Sequence, residues 1–355
     1  MNNIDQFLLS AVQKGASDIH FKVGSPPVVR IFGELMVAKT APLKPQDTSS
    51  LAFAILNASK DRRFASLSEI DTTYDIGERA RFRANVYKSR GNYSIALRHI
   101  PTRIPNIDER GIPMEAKKFA MENRGLVLVT GVTGSGKSTT LASMVDHMNK
   151  NRRKHIITIE DPIEFVHTDD KSIINQREVG VDSPSFNDAM RAAMREDPDV
   201  IMIGELRDID ALGTAIRAAE TGHLVLSSFH TVDAKETINS IISFFPEHQQ
   251  PQIQAQLAAN LRGIISQRLV RRADNKGRVL AAEVMVVTTT IRACILDNKK
   301  REDITRYIAQ GGSEYGMQTF DQSVMKLYKD GLITYEDALA NATSPAEFER
   351  ELRLQ

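Results

Sequence analysis

Cysteine is nearly missing, with one residue, Cys294, in a chain of 355. A lone cysteine excludes an internal disulfide framework and any multi-cysteine zinc site, and such usage suits a reducing compartment, most simply the cytoplasm. Tryptophan is absent altogether, which removes a favoured platform for stacking nucleic-acid bases. An excess of either charge is missing too: Lys and Arg number 46 against 45 Asp and Glu, a formal net charge of +1. That balance disfavours a chain whose main work is gripping a polyanion, so no nucleic-acid partner is expected. Long apolar runs are also lacking, since none approaches the ~18 residues of a membrane-spanning helix. The longest, such as residues 126–129 and 200–203, have the length of buried strands. The first residues, Met1-Asn2-Asn3-Ile4-Asp5-Gln6, show no basic segment leading into an apolar run. The expectation is a soluble protein that meets a membrane only through a partner.

What is present divides in two. Ile4, Phe7, Leu8 and Val12 share one helical face, and Gly15 is a plausible stop. Residues 19–23 and 28–37 read as strands, the second broken at Phe32-Gly33-Glu34. Residues 79–99 read as a hairpin: Ala80, Phe82, Ala84 and Val86 alternate with Arg79, Arg81, Arg83 and Asn85, and Arg90-Gly91-Asn92 makes the turn. This predicts a small α+β domain over residues 1–100. Pro101, Pro105 and Pro113 then punctuate a linker over 101–113. Within residues 114–355, short apolar strands (126–129, 156–159, 200–203, 224–227) alternate with helical stretches, the α/β pattern of a mostly parallel, doubly covered sheet. Ser185-Phe186-Asn187-Asp188 reads as a capping box and Ser344-Pro345 as the start of the last helix.

The chemistry concentrates in this second part. Gly131-Val132-Thr133-Gly134-Ser135-Gly136-Lys137-Ser138 matches the phosphate-binding G-x-x-x-x-G-K-[ST] pattern, between a strand and a helix. Glycines let backbone N–H groups converge on phosphate oxygens, and the helix N-terminus adds its positive end. Lys137 would reach the β- and γ-phosphates of ATP, the Ser138 hydroxyl would ligate Mg²⁺, and Gly131, Thr133, Gly134, Ser135, Gly136 and Thr139 complete the nucleotide cradle. Residues 198–205, Pro-Asp-Val-Ile-Met-Ile-Gly-Glu, form a buried-strand pattern ending in Glu205, a candidate base for the attacking water. Gly204 stands where an acid is usual in such a strand. Three carboxylates follow another strand, in Ile159-Glu160-Asp161-Pro162-Ile163-Glu164. Acids at a strand's carboxyl end line the ligand crevice of an open α/β sheet, where Glu160 and Glu164 could hold Mg²⁺ through water, Glu160 above all, or position the nucleophilic water. They could equally form a charged turn. His230 follows the strand 224–227 and could sense the nucleotide. His223 precedes it, and for both a structural role is the alternative.

Together these stretches resemble four boxes of the type II/IV secretion ATPase superfamily in order: Walker A, Asp, Walker B and His. Gly15-Ala16-Ser17-Asp18-Ile19-His20 and Gly316-Met317-Gln318-Thr319-Phe320-Asp321-Gln322 are similar to its twitching-motility (PilT/PilU) type, which retracts type IV pili. The resemblance implies a PAS-like N-terminal domain, a RecA-like ATPase domain, a homohexamer with ATP between subunits, and docking on an inner-membrane platform protein. It makes Glu205 the catalytic glutamate, assigns Glu160 and Glu164 to the Asp box, and makes Arg81 and Arg83 candidates for completing a site in trans. Three stretches depart from the family pattern. Val132 replaces Pro, Phe229 replaces Leu, and Thr290-Ile291-Arg292-Ala293-Cys294-Ile295-Leu296-Asp297 keeps only an Ile-Arg core and terminal acid of a stretch associated with productive retraction. An accessory role beside a paralogous retraction ATPase is therefore an alternative to the principal motor. A RecA-like nucleic-acid translocase is a second alternative. Cys294 reads as a small buried apolar residue, and one cysteine cannot supply the tetracysteine zinc insertion of many extension ATPases.

Overall fold

The computed structural model describes residues 4–31, 33–58, 69–100 and 103–353. Phe32 and Pro101, both used in the sequence reading, lie outside them. The chain forms two compact units, Met1–Arg103 and Ile104–Gln355.

The first unit is an α+β layer. Its strands are β1 (Ala16–Phe21), β2 (Val28–Ile31), β3 (Glu34–Val37), β4 (Glu69–Asp75), β5 (Arg81–Ser89) and β6 (Asn92–Ile100), with helices α1 (Ile4–Gln13) and α2 (Pro45–Ala58). The sheet order is β3-β2-β1-β6-β5-β4, antiparallel throughout. The period-two alternation gives it two unlike faces. Ile19, Phe21, Phe82, Ala84, Val86, Ile95 and Leu97 bury against Leu8, Leu51 and Ile55 of the helices. The other face is a ladder of charge pairs: Arg98–Asp18 at 2.9 Å, Arg81–Asp75 at 3.4 Å and Arg83–Asp71 at 3.7 Å. Two expectations change here. Arg79 belongs to the 3₁₀ turn Gly77–Arg79 ahead of the strand. Arg81 and Arg83 pair with Asp75 and Asp71 of β4, a strand absent from the sequence reading because Glu69-Ile70-Asp71-Thr72-Thr73 carries too few apolar residues to announce itself.

The second unit contains β7 (Gly125–Thr130), β8 (His155–Glu160), β9 (Ile173–Glu178), β10 (Val200–Ile203), β11 (Leu224–Phe229), β12 (Leu261–Arg271) and β13 (Arg278–Val286). Their order is β13-β12-β7-β11-β10-β8-β9. All pairs are parallel except the β12–β13 hairpin. Helices α3 (Glu115–Ala120) and α4 (Lys137–Asn151) cover one face, and α5 (Phe186–Ala193), α6 (Ile209–Glu220), α7 (Ala234–Ser243) and α8 (Gln250–Asn260) cover the other. Each central strand is apolar on both sides because successive residues serve different cores. Leu126 and Leu128 face α6 and its neighbours, whereas Val127 and Val129 face α4. This is the RecA-like arrangement. Residues 104–113, expected as linker, are folded into this unit. Ile107 and Ile112 join the α3–α4 core, and Ser143 of α4 donates to the Pro105 carbonyl at 2.8 Å.

Local signals behave as their chemistry dictates. Ser185 caps α5 by accepting from the Asp188 N–H, although only this half of the expected box forms. Pro345 opens the last helix, Pro345–Arg353. Cys294 is buried in helix Thr289–Leu296.

One buried acid stands out on β13. Glu283 accepts from the Ala234 N–H at the start of α7 at 2.8 Å. Burial, against that hydrogen bond, pushes its carboxyl up to about 7, with Asp233 and Asp321 raising it further and Arg268 opposing. The unfolded chain ionises this group near its ordinary 4.5, while the folded chain keeps the proton to about 7. The folded state therefore binds more protons across that window, and stability falls as pH rises through it. Glu283→Gln should remove this slope, so denaturant midpoints of variant and wild type should diverge from about pH 4.5 to about pH 7, in the variant's favour. Parallel midpoints across that window would refute the assignment.

Candidate active site

A parallel sheet delivers every strand's carboxyl end to one edge. The adjacent strands β7, β11, β10 and β8 bring the phosphate loop, His230, Glu205 and Glu160 to that edge together.

The loop joins β7 to α4 through three glycines with left-handed backbone, Gly131 (φ 141°), Gly134 (φ 77°) and Gly136 (φ 96°). Gly131 has a second requirement. A Cβ there would lie 2.5 Å from both the Gln267 carbonyl and Ser135 Oγ, so no other side chain fits. Thr133 and Gly134 are exposed, Ser135 is buried, and Ser138 and Thr139 are half-buried in the first turn of α4. Lys137 is 8% exposed, and its ammonium donates to the carbonyls of Gly131 at 2.8 Å and Val132 at 3.1 Å. Burial lowers its pKa, and the nearby carboxylates of Glu205 and Glu164 oppose that.

Glu205 follows β10. One carboxylate oxygen is paired with Arg207 and the other lies 3.0 Å from His230 Nε2. Burial raises its pKa, but the hydrogen bonds from Arg207 and His230 outweigh burial and hold it below the ordinary range. A carboxylate so held is ionised at neutral pH and fixed in direction, so it can accept a hydrogen bond from a water. Arg207 was missed by the sequence reading, although it stands only two residues after Glu205.

Glu160 ends β8 at 8% exposure. It accepts from Thr158 Oγ1 at 2.7 Å, from Gln176 Nε2 at 3.2 Å and from the Glu164 N–H at 3.4 Å. Burial raises its pKa in spite of these donors. A Cβ on Gly204 would lie 3.4 Å from the Ile159 carbonyl, an ordinary contact, so the acid at this level comes from β8 without space alone barring one at residue 204. Glu164 is exposed. The Ser138 hydroxyl is a hard oxygen donor of the kind Mg²⁺ takes, so the loop fits that ion. Among the described residues no three His, Cys, Asp or Glu side chains cluster as an all-protein metal cage.

His223 lies elsewhere. Its Nδ1 is 2.9 Å from the Ala218 carbonyl and 3.2 Å from Thr221 Oγ1, closing the end of α6 at the start of β11. That is the amino edge of the sheet, so His223 is structural. Arg81 and Arg83 belong to the first unit.

Comparison with known proteins gives the family. The family model described as type II/IV secretion system protein matches residues 1–339. The chain belongs to that family. It is 39% identical to the Pseudomonas aeruginosa protein named type IV pilus retractation ATPase PilT over 346 residues, 98% of this chain and 100% of the relative. It is also 39% identical to the type IV pilus ATPase PilU of the same organism over 350 residues, covering 99% and 91%. Among solved structures, the pilus retraction motor PilT with bound ADP superposes with a TM-score of 0.90 at 46% identity, covering 98% and 99%. The Legionella pneumophila ATPase DotB does so at 0.82 and 29%, covering 96% and 95%. Among the described residues no helix is long and apolar enough to cross a membrane.

The glycine geometry makes a direct prediction. Gly131→Ala should weaken ADP binding by about tenfold or more, since a strained, crowded loop residue costs on the order of 1–3 kcal/mol. Titration with fluorescent ADP reads this, and unchanged affinity would contradict the crowding at Gly131.

Proposed function

We propose that the chain is a hexameric ATP-hydrolysing motor that powers type IV pilus retraction from the cytoplasmic side of the inner membrane, docked on a platform protein. The observation that carries this is the meeting of the phosphate loop with Glu205, itself held between Arg207 and His230, in a chain resembling PilT along almost its whole length.

In this reading Lys137 leaves the loop carbonyls for the β- and γ-phosphates. The loop from Gly131 to Thr139, with Thr133, Gly134, Ser135 and Gly136, cradles the nucleotide, and Ser138 holds Mg²⁺. The ion would neutralise charge on the transferred phosphoryl group. Glu205 orients the attacking water and accepts its proton. His230 keeps Glu205 in register and feels the loss of the γ-phosphate. Glu160 fixes the segment leading to Glu164, with its remaining lone pair available to a metal-bound water. Arg81 and Arg83 reach a neighbouring subunit's nucleotide, exchanging their β4 acids for phosphate. In related chemistry an arginine supplied in trans is worth about 10³–10⁵ in rate.

The equal 39% identity to PilT and PilU supports a second reading, an accessory ATPase beside a principal one. Pilus retraction in a strain lacking every other such ATPase separates the two: retraction supports the principal role, and its loss the accessory one. In either background, Lys137→Ala and Glu205→Gln should abolish this chain's contribution. Glu205→Gln should lower kcat by about 10²–10⁴, the usual weight of a general base, with ADP affinity nearly unchanged. Full phosphate release by that variant would refute its role. Arg81→Ala with Arg83→Ala should suppress turnover while ADP still binds, and full turnover would leave these arginines as a charged surface only.

A further inference from the structure

β12 lies against β7 on the side away from β11, with Ile265 level with Val129 and Ser266 level with Thr130. The Thr130 hydroxyl donates to Ser266 Oγ at 2.9 Å. The next residue along, Gln267, therefore stands directly beside Gly131, where the phosphate loop begins. Its carbonyl is the backbone atom that, with Ser135 Oγ, excludes a Cβ from Gly131.

The Gln267 side chain is 1% exposed, and the two ends of its carboxamide differ. The Nε2 group donates to Thr140 Oγ1 at 2.6 Å, an equally buried hydroxyl in the first turn of α4. The Oε1 atom has no hydrogen-bond partner. It lies 4.0 Å from the point where a Cβ on Gly136 would sit, at the residue that starts α4. A second buried orphan, Ser135 Oγ, belongs to the same loop. Buried polar atoms without partners are rare and cost about 1–3 kcal/mol each. Two of them at one loop, whose lysine is bonded to the loop's own carbonyls, describe a polar arrangement completed only in another state of that loop.

We infer that Gln267 is a positioning residue of the phosphate loop: its amide fixes the first turn of α4 through Thr140, and its Oε1 accepts a loop N–H or the Ser135 hydroxyl when phosphate draws the loop into its binding shape. The inference rests on the nucleotide-binding reading of that loop. Gln267 does not touch phosphate in this account. It stabilises the loaded loop relative to the empty one, so its contribution appears in nucleotide affinity and KM more than in kcat.

The test uses the full chain with fluorescent ADP as probe, together with ATP turnover and the melting temperature without nucleotide. Gln267→Met keeps the length and volume but can neither donate nor accept in the same way. It should weaken ADP binding by about tenfold, equivalent to about 1.4 kcal/mol, and raise KM by a similar factor while kcat changes less. A merely structural glutamine would instead lower the melting temperature and leave affinity and KM unmoved, which overturns the inference. Thr140→Val, which removes the amide's partner, should show the same split at smaller amplitude and decides the matter if the first variant does not fold. Unchanged ADP affinity in the folded variant overturns the inference alone. Failure of the wild-type chain to bind ADP overturns the nucleotide reading with it.

Discussion

Parallel strand pairing is the constraint on which this molecule's chemistry depends. Because β8, β10, β11 and β7 run the same way and lie side by side, residues tens of positions apart in sequence must emerge on one edge. The burial that enforces this is two-sided, with alternate residues of each strand feeding separate cores. A single-residue slip in β10 would exchange the faces of Ile201 and Met202 and carry Glu205 out of line with His230. Precision at the site is thus a property of the hydrophobic strands rather than of the loops that display it.

Upon that frame, charge is arranged to be poised rather than neutralised. Lys137 is held in a desolvated position by carbonyls that a phosphate can outcompete, because a charge-assisted bond to an anion is stronger than one to a neutral oxygen. Glu205 stays ionised despite burial because Arg207 and His230 both bond it. Glu160, the deeper carboxyl, is raised by burial and occupied by Thr158, Gln176 and the Glu164 N–H, which suits it to hold a loop. Carboxylates a few residues from shared strand ends are thus set to different tasks by their surroundings.

Much of this was legible in the sequence for identifiable reasons. Strands such as 126–129 and 200–203 are continuous apolar runs, and the glycine-lysine loop between strand and helix has one economical physical reading. The β5–β6 hairpin was legible through its strict alternation and the Arg90-Gly91 turn. Other elements were silent. Strand β9, Ile173–Glu178, is an edge strand rich in polar residues, and β4 is similar. In β12, Arg262, Gly263, Ser266, Gln267 and Arg268 break up the apolar residues, so the hairpin supporting the phosphate loop was not recognised. Arg207 went unassigned because pairing across a strand end depends on geometry that a linear motif does not carry. His223 and His230, alike as letters flanking one strand, were separated only by the direction of that strand.

The central claim is that hydrolysis at this strand edge is what moves the pilus. Its most direct test is retraction speed of labelled pili, measured in cells where this chain is the only such ATPase, across variants of graded turnover such as Glu205→Asp and His230→Gln. Speed should fall in proportion to the phosphate-release rate of each purified variant. Speed that stays constant while release slows several-fold would contradict the claim.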